Sequence, residues 1–525
     1  MTGEFGSDDA GRAAVRAADD AMQIWKRGVA AVDPVRLVRE SLRLDGTTLV
    51  VTGRDATGRP ATERRFDGRR IQRVRVVGAG KAGATMAAAV EAIFLGGNSE
   101  EDFWRERFDC GWVNVPAGSE RLAEKPLKRT TLWAARPAMA NEPALEGVFG
   151  TREILRLVGE LTADDLCLCL ISGGGSALLP APVEGVTLDE LLALTRFLAA
   201  SGADIAETNT VRKQLSAIQG GRLAMACAAP LVSLILSDVP GDPLDIIASG
   251  PTVRDTGTAA AAMEVLEKYD ADQPGSGVSE SVFRVLQAKV RSDIAAPSGG
   301  MQVPAEFPSD RVFNALIGNN ATAVVAAVDE ATRLGYQVTD FETAENCEGF
   351  VGEVARNLVD QFFGRITATL SAEARTKTPT NEKMNGMDAV EIPMMLISGG
   401  EPVVHLAEKS IRGCGGRNTQ FVLEALVDMK STYGYLEGLD CGNLCRILER
   451  VTVLSGGTDG EDGPTDAAGA IGSLKTLQRA KDEGLDPEDF LRRNDTWTFF
   501  DRLGGLIRVG PTGTNVCDLR VMIWR

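Results

Sequence analysis

The apolar positions of this chain fall mainly into short, nearly continuous runs, several of them closed by glycine or serine. "VRVVG" (74–78), "CGWVNV" (110–115), "LCLCLIS" (166–172) and "LVSLILS" (231–237) are of this kind. Short apolar runs bounded by turn residues predict buried strands. Between them lie helix-favouring stretches at 81–95, 144–160, 187–203 and 209–228. This alternation predicts a mostly parallel sheet with helices on both faces. A Pro-, Gly- and Ser-rich stretch at 292–310 then reads as a linker. The pattern resumes with "RVFNALIG" (311–318), a helix over 320–335, "YQVTDF" (336–341), a helix over 349–370, "PMMLISGGE" (393–401) and "VTVLSGG" (451–457). A polar insertion at 371–388 interrupts it, and a tail with a helix near 17–29 precedes it. The expectation is an α/β protein of two domains, 1–300 and 301–525. Each is a mostly parallel or mixed sheet with flanking helices, the first is Rossmann-like, and a cleft between them is the expected ligand site.

Composition narrows the function classes. The 525 residues carry a formal net charge of -17, which argues against nonspecific nucleic-acid binding, because phosphate contacts need basic surface. Any anion must therefore meet locally clustered Lys, Arg and backbone N–H groups. No apolar run approaches a membrane span, and the N-terminus has no signal-peptide core. Nine scattered cysteines without paired C-x-x-C motifs predict reduced thiols in a cytoplasmic setting. The single histidine, His405, excludes any mechanism needing two, and its place after "PVV" suggests a packed strand residue.

The chemistry concentrates in glycine-rich turns. Gly78, Gly80 and Gly83 have the spacing of a dinucleotide fingerprint, but Lys81 sits inside the turn. A lysine in a backbone cradle suits phosphate. The acidic residue a dinucleotide site needs about 20 residues on is not clearly present: Glu100, Glu101 and Asp102 precede any strand, and Asp109 comes late. An apolar strand closed by Ser-Gly-Gly occurs three times, at Ser172–Gly174, Ser398–Gly400 and Ser455–Gly457. "SGGGSA", with Ser172, Gly173, Gly174, Gly175 and Ser176, makes a good anion nest. In "NTVRKQLSAIQGGRLA" (209–224), Asn209 or Thr210 can cap a helix that sets Arg212 and Ser216 on one face, followed by Lys213 and Arg222. Asp238 ends a strand, where a carboxylate can act as a base, and Asp242 follows in a turn. Asp459, Glu461, Asp462 and Asp466 are spaced among glycines, as suits Mg²⁺. Arg417 stands in a glycine-rich turn opening a helix and can clamp a phosphate or carboxylate.

These stretches, with "LSDVPGDPLDIIASGPT", "GGRNTQ", "SGGTDGEDGPTDAAGA" and "GPTGTNVCDL", resemble the two-domain glycerate kinases that carry a C-terminal MOFRL domain, the animal-type enzymes most closely. The resemblance runs from about Arg73 to the C-terminus. It implies phosphorylation of D-glycerate by ATP with Mg²⁺, at position 2 in preference to position 3, with functional residues at Lys81 and Arg417. On that frame Asp238 accepts the hydroxyl proton, and Gly78, Gly80, Ser172–Ser176, Gly456 and Gly457 cradle ATP. Arg212, Lys213, Asn209 and Asn418 hold the substrate, and Asp459 and Asp462 hold the metal. No nucleic-acid or membrane partner is implied, and a homodimer is compatible. One departure stands in "AARPAMANEPAL" (134–145), where many members have a histidine–proline and then a proline–aspartate pair. Here Arg136 and Pro137 replace the first and Asn141 the aspartate, and Arg136 could anchor a carboxylate. The competing reading is an NAD(P)-dependent hydroxypyruvate reductase using the same glycine turn.

Overall fold

The computed structural model describes residues 6–96, 102–123, 125–138, 142–295, 306–343, 347, 349–376, 392–433 and 448–525. The centre of the expected linker (296–305), most of the expected insertion (377–388), Asn141, Glu100 and Glu101 lie outside them. The chain divides into two units, Pro34–Asn319 and a second made of Met1–Asp33 with Asn320–Arg525.

After the helix Pro34–Ser41, the unit Pro34–Asn319 forms an antiparallel sheet that the apolar pattern did not announce. It consists of β1 (Leu42–Asp45), β2 (Thr48–Arg54) and β3 (Pro60–Asp67). β3 is largely exposed, so its sequence lacks the apolar run of a buried strand. The main sheet is parallel throughout: β4 (Val74–Ala79), β5 (Phe108–Pro116), β6 (Thr130–Arg136), β7 (Leu166–Ile171), β8 (Leu231–Leu236) and β9 (Val312–Gly318). Its order is β6-β5-β4-β7-β8-β9. Renumbered within the sheet this is 3-2-1-4-5-6, the dinucleotide-fold order. β4, β7 and β8 are buried at every position, as central parallel strands must be.

β9 corrects the expected boundary. "RVFNALIG" looked like the opening strand of the second domain, but it pairs with β8 and closes the first sheet. The division therefore falls after Asn319 rather than at 300/301.

The second unit is built on a mixed sheet of β10 (Gln337–Glu342), β11 (Met394–Gly400), β12 (Val451–Gly457), β13 (Gly469–Ser473), β14 (Leu506–Ile507) and β15 (Asp518–Trp524), in the order β10-β11-β15-β12-β13-β14. β10 and β11 are parallel, and β15 runs antiparallel between β11 and β12. The first helix, α1 (Gly6–Ala31), belongs here. Its Ile24 and Trp25 pack in one core with Leu519, Val521 and Ile523 of β15, and Tyr336 Oη and Arg525 Nη1 both donate to Asp20 at 2.6 and 2.7 Å. A Cβ on Gly28 would lie 2.4 Å from Leu519 Cδ2, so the helix lies tight against the sheet. The opposite face is covered by the helices Val351–Thr376 and Arg417–Asp428, around Phe362, Phe421, Met522 and Trp524.

Candidate active site

In the parallel sheet the strand order turns at β4 and β7, with β5 beside one and β8 beside the other. Ligands of this architecture bind at the carboxyl ends of the strands at such a point. Two glycine-rich turns meet there. Lys81 N–H donates to Gly173 O at 2.8 Å, Ser172 N–H to Ala79 O at 3.2 Å, and Ala82 N–H to Ser172 Oγ at 3.1 Å. Gly80, at φ +153°, has no room for a side chain: a Cβ would stand 1.9 Å from Ser172 Oγ. Gly78 instead lies inside β4, where a Cβ would meet Leu170 O at 2.2 Å, so it serves strand pairing rather than a cradle. Gly83 starts the helix Gly83–Leu95, and a Cβ there would lie 2.9 Å from Val113. Its role is close packing of that helix on β5.

Cationic groups gather at the same turn. A Cβ on Gly174, at φ +75°, would lie 3.6 Å from Lys81 Cγ and 3.5 Å from Arg136 Nη2. The Lys81 stem and the Arg136 guanidinium therefore flank one bare backbone position. Arg136, which ends β6, is almost fully buried. A cavity of about 170 Å³ adjoins, lined by Glu142, Gly174, Ser176, Leu191, Arg196 and Arg212. Burial lowers the Arg212 pKa from its ordinary value.

The segment after β8 folds against Ser176 with unusual backbone. Asp242, Ala248 and Ser249 have φ of +53°, +52° and +58°. Non-glycine residues hold this region only under strong local constraint, and such strain concentrates at functional sites. Ser176 and Ser249 share a hydrogen bond of 2.9 Å, and Ser249 Oγ lies 3.5 Å from Asn209 Oδ1. A Cβ on Gly175 would lie 2.7 Å from Ala248 Cβ. Lys213 is buried and ion-paired to Asp245 at 3.4 Å. Asp242 accepts from Asn319 Nδ2 at 2.6 Å, and Asp238 is half-buried just past β8.

The helix expected over 209–228 is two. Ile205–Gln214 starts at Asp204 with a Glu207 capping box, and Arg222–Ala226 starts after Gly221. Gly220 and Gly221, at φ +59° and +79°, form the break. Ser216 lies in the break, where its Oγ accepts from Ile218 N–H and Gln219 N–H at 3.3 and 3.1 Å. It does not share a helix face with Arg212.

In the second unit Arg417 opens the helix Arg417–Asp428. Its Nε and Nη2 fork onto Asp518 at 2.7 and 3.0 Å, and its Nη1 reaches Glu401 at 2.8 Å. Burial alone would weaken its hold on the proton, but the charges of Asp518 and Glu401 more than offset this and raise its pKa. Asn418 donates to Asp518 Oδ1 at 2.9 Å and accepts from Ser455 at 2.6 Å. Asp518 and Glu401 escaped the sequence reading. Their only signals were an aspartate opening an apolar strand in "CDLRVMIW" and a glutamate after the second Ser-Gly-Gly.

Residues 20–287 match the family model "Domain of unknown function (DUF4147)", and residues 394–518 match the MOFRL family. The chain is 36% identical to bovine glycerate kinase, covering 95% of this chain and 92% of that one. It is 34% identical to a D-glycerate 2-kinase of Thermotoga maritima, over 95% and 96%. A crystal structure of Thermotoga maritima glycerate kinase superposes with a TM-score of 0.68 at 32% identity, covering 97% of this chain and 99% of that one.

The chain belongs to the MOFRL-containing glycerate kinases.

Within this kinase family frame, several expected residues take other places. Asp462 caps the helix Arg417–Asp428 from outside: its Oδ1 accepts from Asn418 N–H at 2.8 Å and Asn418 Nδ2 at 3.3 Å, and its Oδ2 from Thr419 N–H and Oγ1, both at 2.8 Å. Those bonds use its acceptor sites, and the carboxyl is buried, so Asp462 does not fit a magnesium site. Burial pushes its pKa up to about 6 against the pull of those bonds. Asp459 is half-buried and accepts from Glu461 N–H at 3.1 Å. Among the described residues no cluster of three or more His, Cys, Asp or Glu is arranged for a metal. Gly456 and Gly457 are ladder positions of β12 rather than a cradle; Gly456 O accepts from Trp25 Nε1 at 3.1 Å, and the indole covers it. His405 is exposed in a loop and stacks on Phe350 at 3.6 Å, rather than packing in a strand. The ribose-binding acid of a dehydrogenase would stand at the end of β5, which instead reads Asn114-Val115-Pro116. Asp109, near the other end of β5, pairs with Arg75 at 2.8 Å. No helix of the described residues is long and apolar enough to cross a membrane.

Proposed function

We propose that this kinase transfers the γ-phosphoryl group of ATP to the 2-hydroxyl of D-glycerate, giving ADP and 2-phosphoglycerate. The observation that carries the reading is the joining of the Lys81 and Ser172 turns at the sheet's switch point, with Lys81 and Arg136 both close to Gly174. Phosphoryl transfer asks for positioning and charge stabilisation, and a backbone nest flanked by cations supplies both. In this reading Gly80 and Ser172–Ser176 hold phosphate oxygens, with Lys81 as a point charge over the transferring group. Arg212, at the adjoining cavity, pairs with the glycerate carboxylate, and Asp238 takes the hydroxyl proton. Arg417 holds phosphate in its own unit. Asn209 and Lys213 shape the site from behind through Ser249 and Asp245. On this reading magnesium enters with the nucleotide, bound to its phosphates.

The test is ATP-dependent turnover of D-glycerate, coupled to enolase with and without phosphoglycerate mutase. Signal without mutase is the expected result. Signal only with mutase reverses the assignment to the 3-hydroxyl. Oxidation of NADH or NADPH with hydroxypyruvate, and no ATP consumption, rejects the kinase reading for the reductase one.

A further inference from the structure

Three consecutive residues after β8, Ala248, Ser249 and Gly250, hold left-handed backbone, with φ of +52°, +58° and +59°. Only glycine takes this region without steric cost, so two side chains in such a run stand against the preference of the backbone. The run is clamped on a second left-handed pair. Ser249 O accepts from Gly220 N–H at 2.9 Å, and Gly250 O accepts from Gly221 N–H at 2.7 Å. The second pair is all glycine, whereas the first places a hydroxyl. Ser249 is fully buried, and its Oγ shares a hydrogen bond of 2.9 Å with Ser176 Oγ. Gln219 Nε2 holds the Ser176 carbonyl at 3.3 Å, so both ends of Ser176 are fixed.

Ser176 lines the cavity beside the nest, and so does Arg212. Burial alone lowers the Arg212 pKa, with no carboxylate of the described residues opposing it. A hydroxyl has one proton and two lone pairs. Ser249 Oγ also faces Asn209 Oδ1, at 3.5 Å, an acceptor that draws the Ser249 proton. Ser249 Oγ then accepts from Ser176, and both lone pairs of Ser176 remain for a ligand. Were the Ser249 proton turned to Ser176 instead, one lone pair would still remain. An acceptor beside a desolvated cation is the pairing that recognises a hydroxy acid, with the carboxylate on the arginine and a hydroxyl on the serine.

We propose that Ser176 Oγ accepts a hydrogen bond from the hydroxyl of D-glycerate that is not phosphorylated, and that Ser249 is a positioning residue whose left-handed backbone holds that oxygen in place. This inference rests on the reading of the Arg212 cavity as the site of the acid. It gives the Ser176 side chain to the acid and leaves the backbone of the nest to phosphate. The consequence is specificity, because a site built around a substrate hydroxyl leaves a polar group unmatched when an analogue lacks it. D-Lactate keeps the carboxylate and the 2-hydroxyl but has no 3-hydroxyl, so it is the probe.

The experiment measures, on the full chain at saturating ATP, the KM for D-glycerate and the inhibition constant of D-lactate as its competitor, with thermal unfolding beside them. The ratio of the two constants is expected to favour D-glycerate at least about tenfold in the parent. Ser176→Ala should cut that ratio about fivefold by raising the KM for D-glycerate alone. Ser249→Gly and Ser249→Ala should each cut it about threefold, although Ser249→Gly unfolds at the higher temperature of the two because glycine fits φ +58° without strain. Ala248→Gly relieves the same strain without touching a hydroxyl and should leave the ratio at the parent value. A parent that does not discriminate, or a parent-like ratio in Ser176→Ala, overturns the hydroxyl assignment. A fall there with parent-like ratios in both Ser249 variants, or an equal fall in Ala248→Gly, overturns the positioning role of Ser249 alone. Absence of ATP-dependent D-glycerate turnover in the parent rejects the kinase reading itself, and the inference with it.

Discussion

The same Ser-Gly-Gly ending occurs on β7 in one unit and on β11 and β12 in the other, and the two settings make different objects of it. In the parallel sheet every strand points its carboxyl end to the same edge. The Ser172 turn meets the Lys81 turn there, and Lys81, Arg136 and an adjoining cavity border it. In the mixed sheet the antiparallel β15 begins between the other two turns, so Asp518 stands directly opposite both Gly400 and Gly457. The chain's own carboxylate thus lies between the two turns, and the Arg417 guanidinium forks onto it. Packing completes the difference. A Cβ on Gly399 would stand 1.6 Å from Asn320 Oδ1, and one on Gly456 would stand 2.8 Å from the Trp25 indole nitrogen. Whether a glycine turn is a ligand nest or a packing device thus depends on the direction of the neighbouring strand, which the turn's own sequence does not encode.

The largest expected effect is on the open side of this contrast. Lys81→Met should cut ATP-dependent turnover of D-glycerate about 10³-fold, the scale of losing one preorganised charge at a transferring group, with the melting temperature nearly unmoved. Turnover within tenfold of the parent would remove Lys81 from the chemistry. A pair of glycine substitutions sharpens the comparison further. Gly80→Ala forces the two joined turns apart and should lower kcat/KM at least tenfold. Gly456→Ala should instead destabilise the second unit by about 1–3 kcal/mol, the usual cost of overpacking, with activity per folded molecule retained. Thermal unfolding beside steady-state kinetics on both variants checks this. The opposite assignment would mean that the cradle lies on β12 after all.

The smallest effect concerns pH. Because burial lifts Asp462 to about 6, the folded chain binds its proton more tightly than the unfolded chain, where a carboxyl titrates near about 4. Stability from this group therefore declines as pH rises from about 4 to about 6 and is level above. Asp462→Asn should flatten that part of the melting-temperature profile. At pH 7 it should cost about 1–2 kcal/mol, because an amide nitrogen cannot accept from the N–H groups at the helix start. A profile unchanged in slope would remove Asp462 as the titrating cap.

Several assignments were legible in the residues because they depend on local pattern alone. The runs "VRVVG" and "LCLCLIS" are strands β4 and β7 because no polar face interrupts them, and the glycine spacing marked the turn at Lys81. The exposed β3 and the short strand β14 carried no such signal. "RVFNALIG" carried the signal of a strand but not of its sheet, and joined the first unit because an open edge beside β8 was there to pair. The 209–228 segment read as one helix because helix propensity averages over the Gly220–Gly221 break.

What the sequence determined by itself is the alternation of strands and helices, the glycine turns and their chemistry, and through its long motifs the family. Tertiary structure alone decided three things: that α1 packs with the C-terminal sheet, that Asp518 faces two of the Ser-Gly-Gly turns, and that Asp462 caps a helix. The reason is physical. Periodicity and turn propensity act between residues a few positions apart, whereas strand order, strand direction and the neutralisation of buried charge join residues such as Arg417 and Asp518 that are 101 positions apart, and only packing selects those partners.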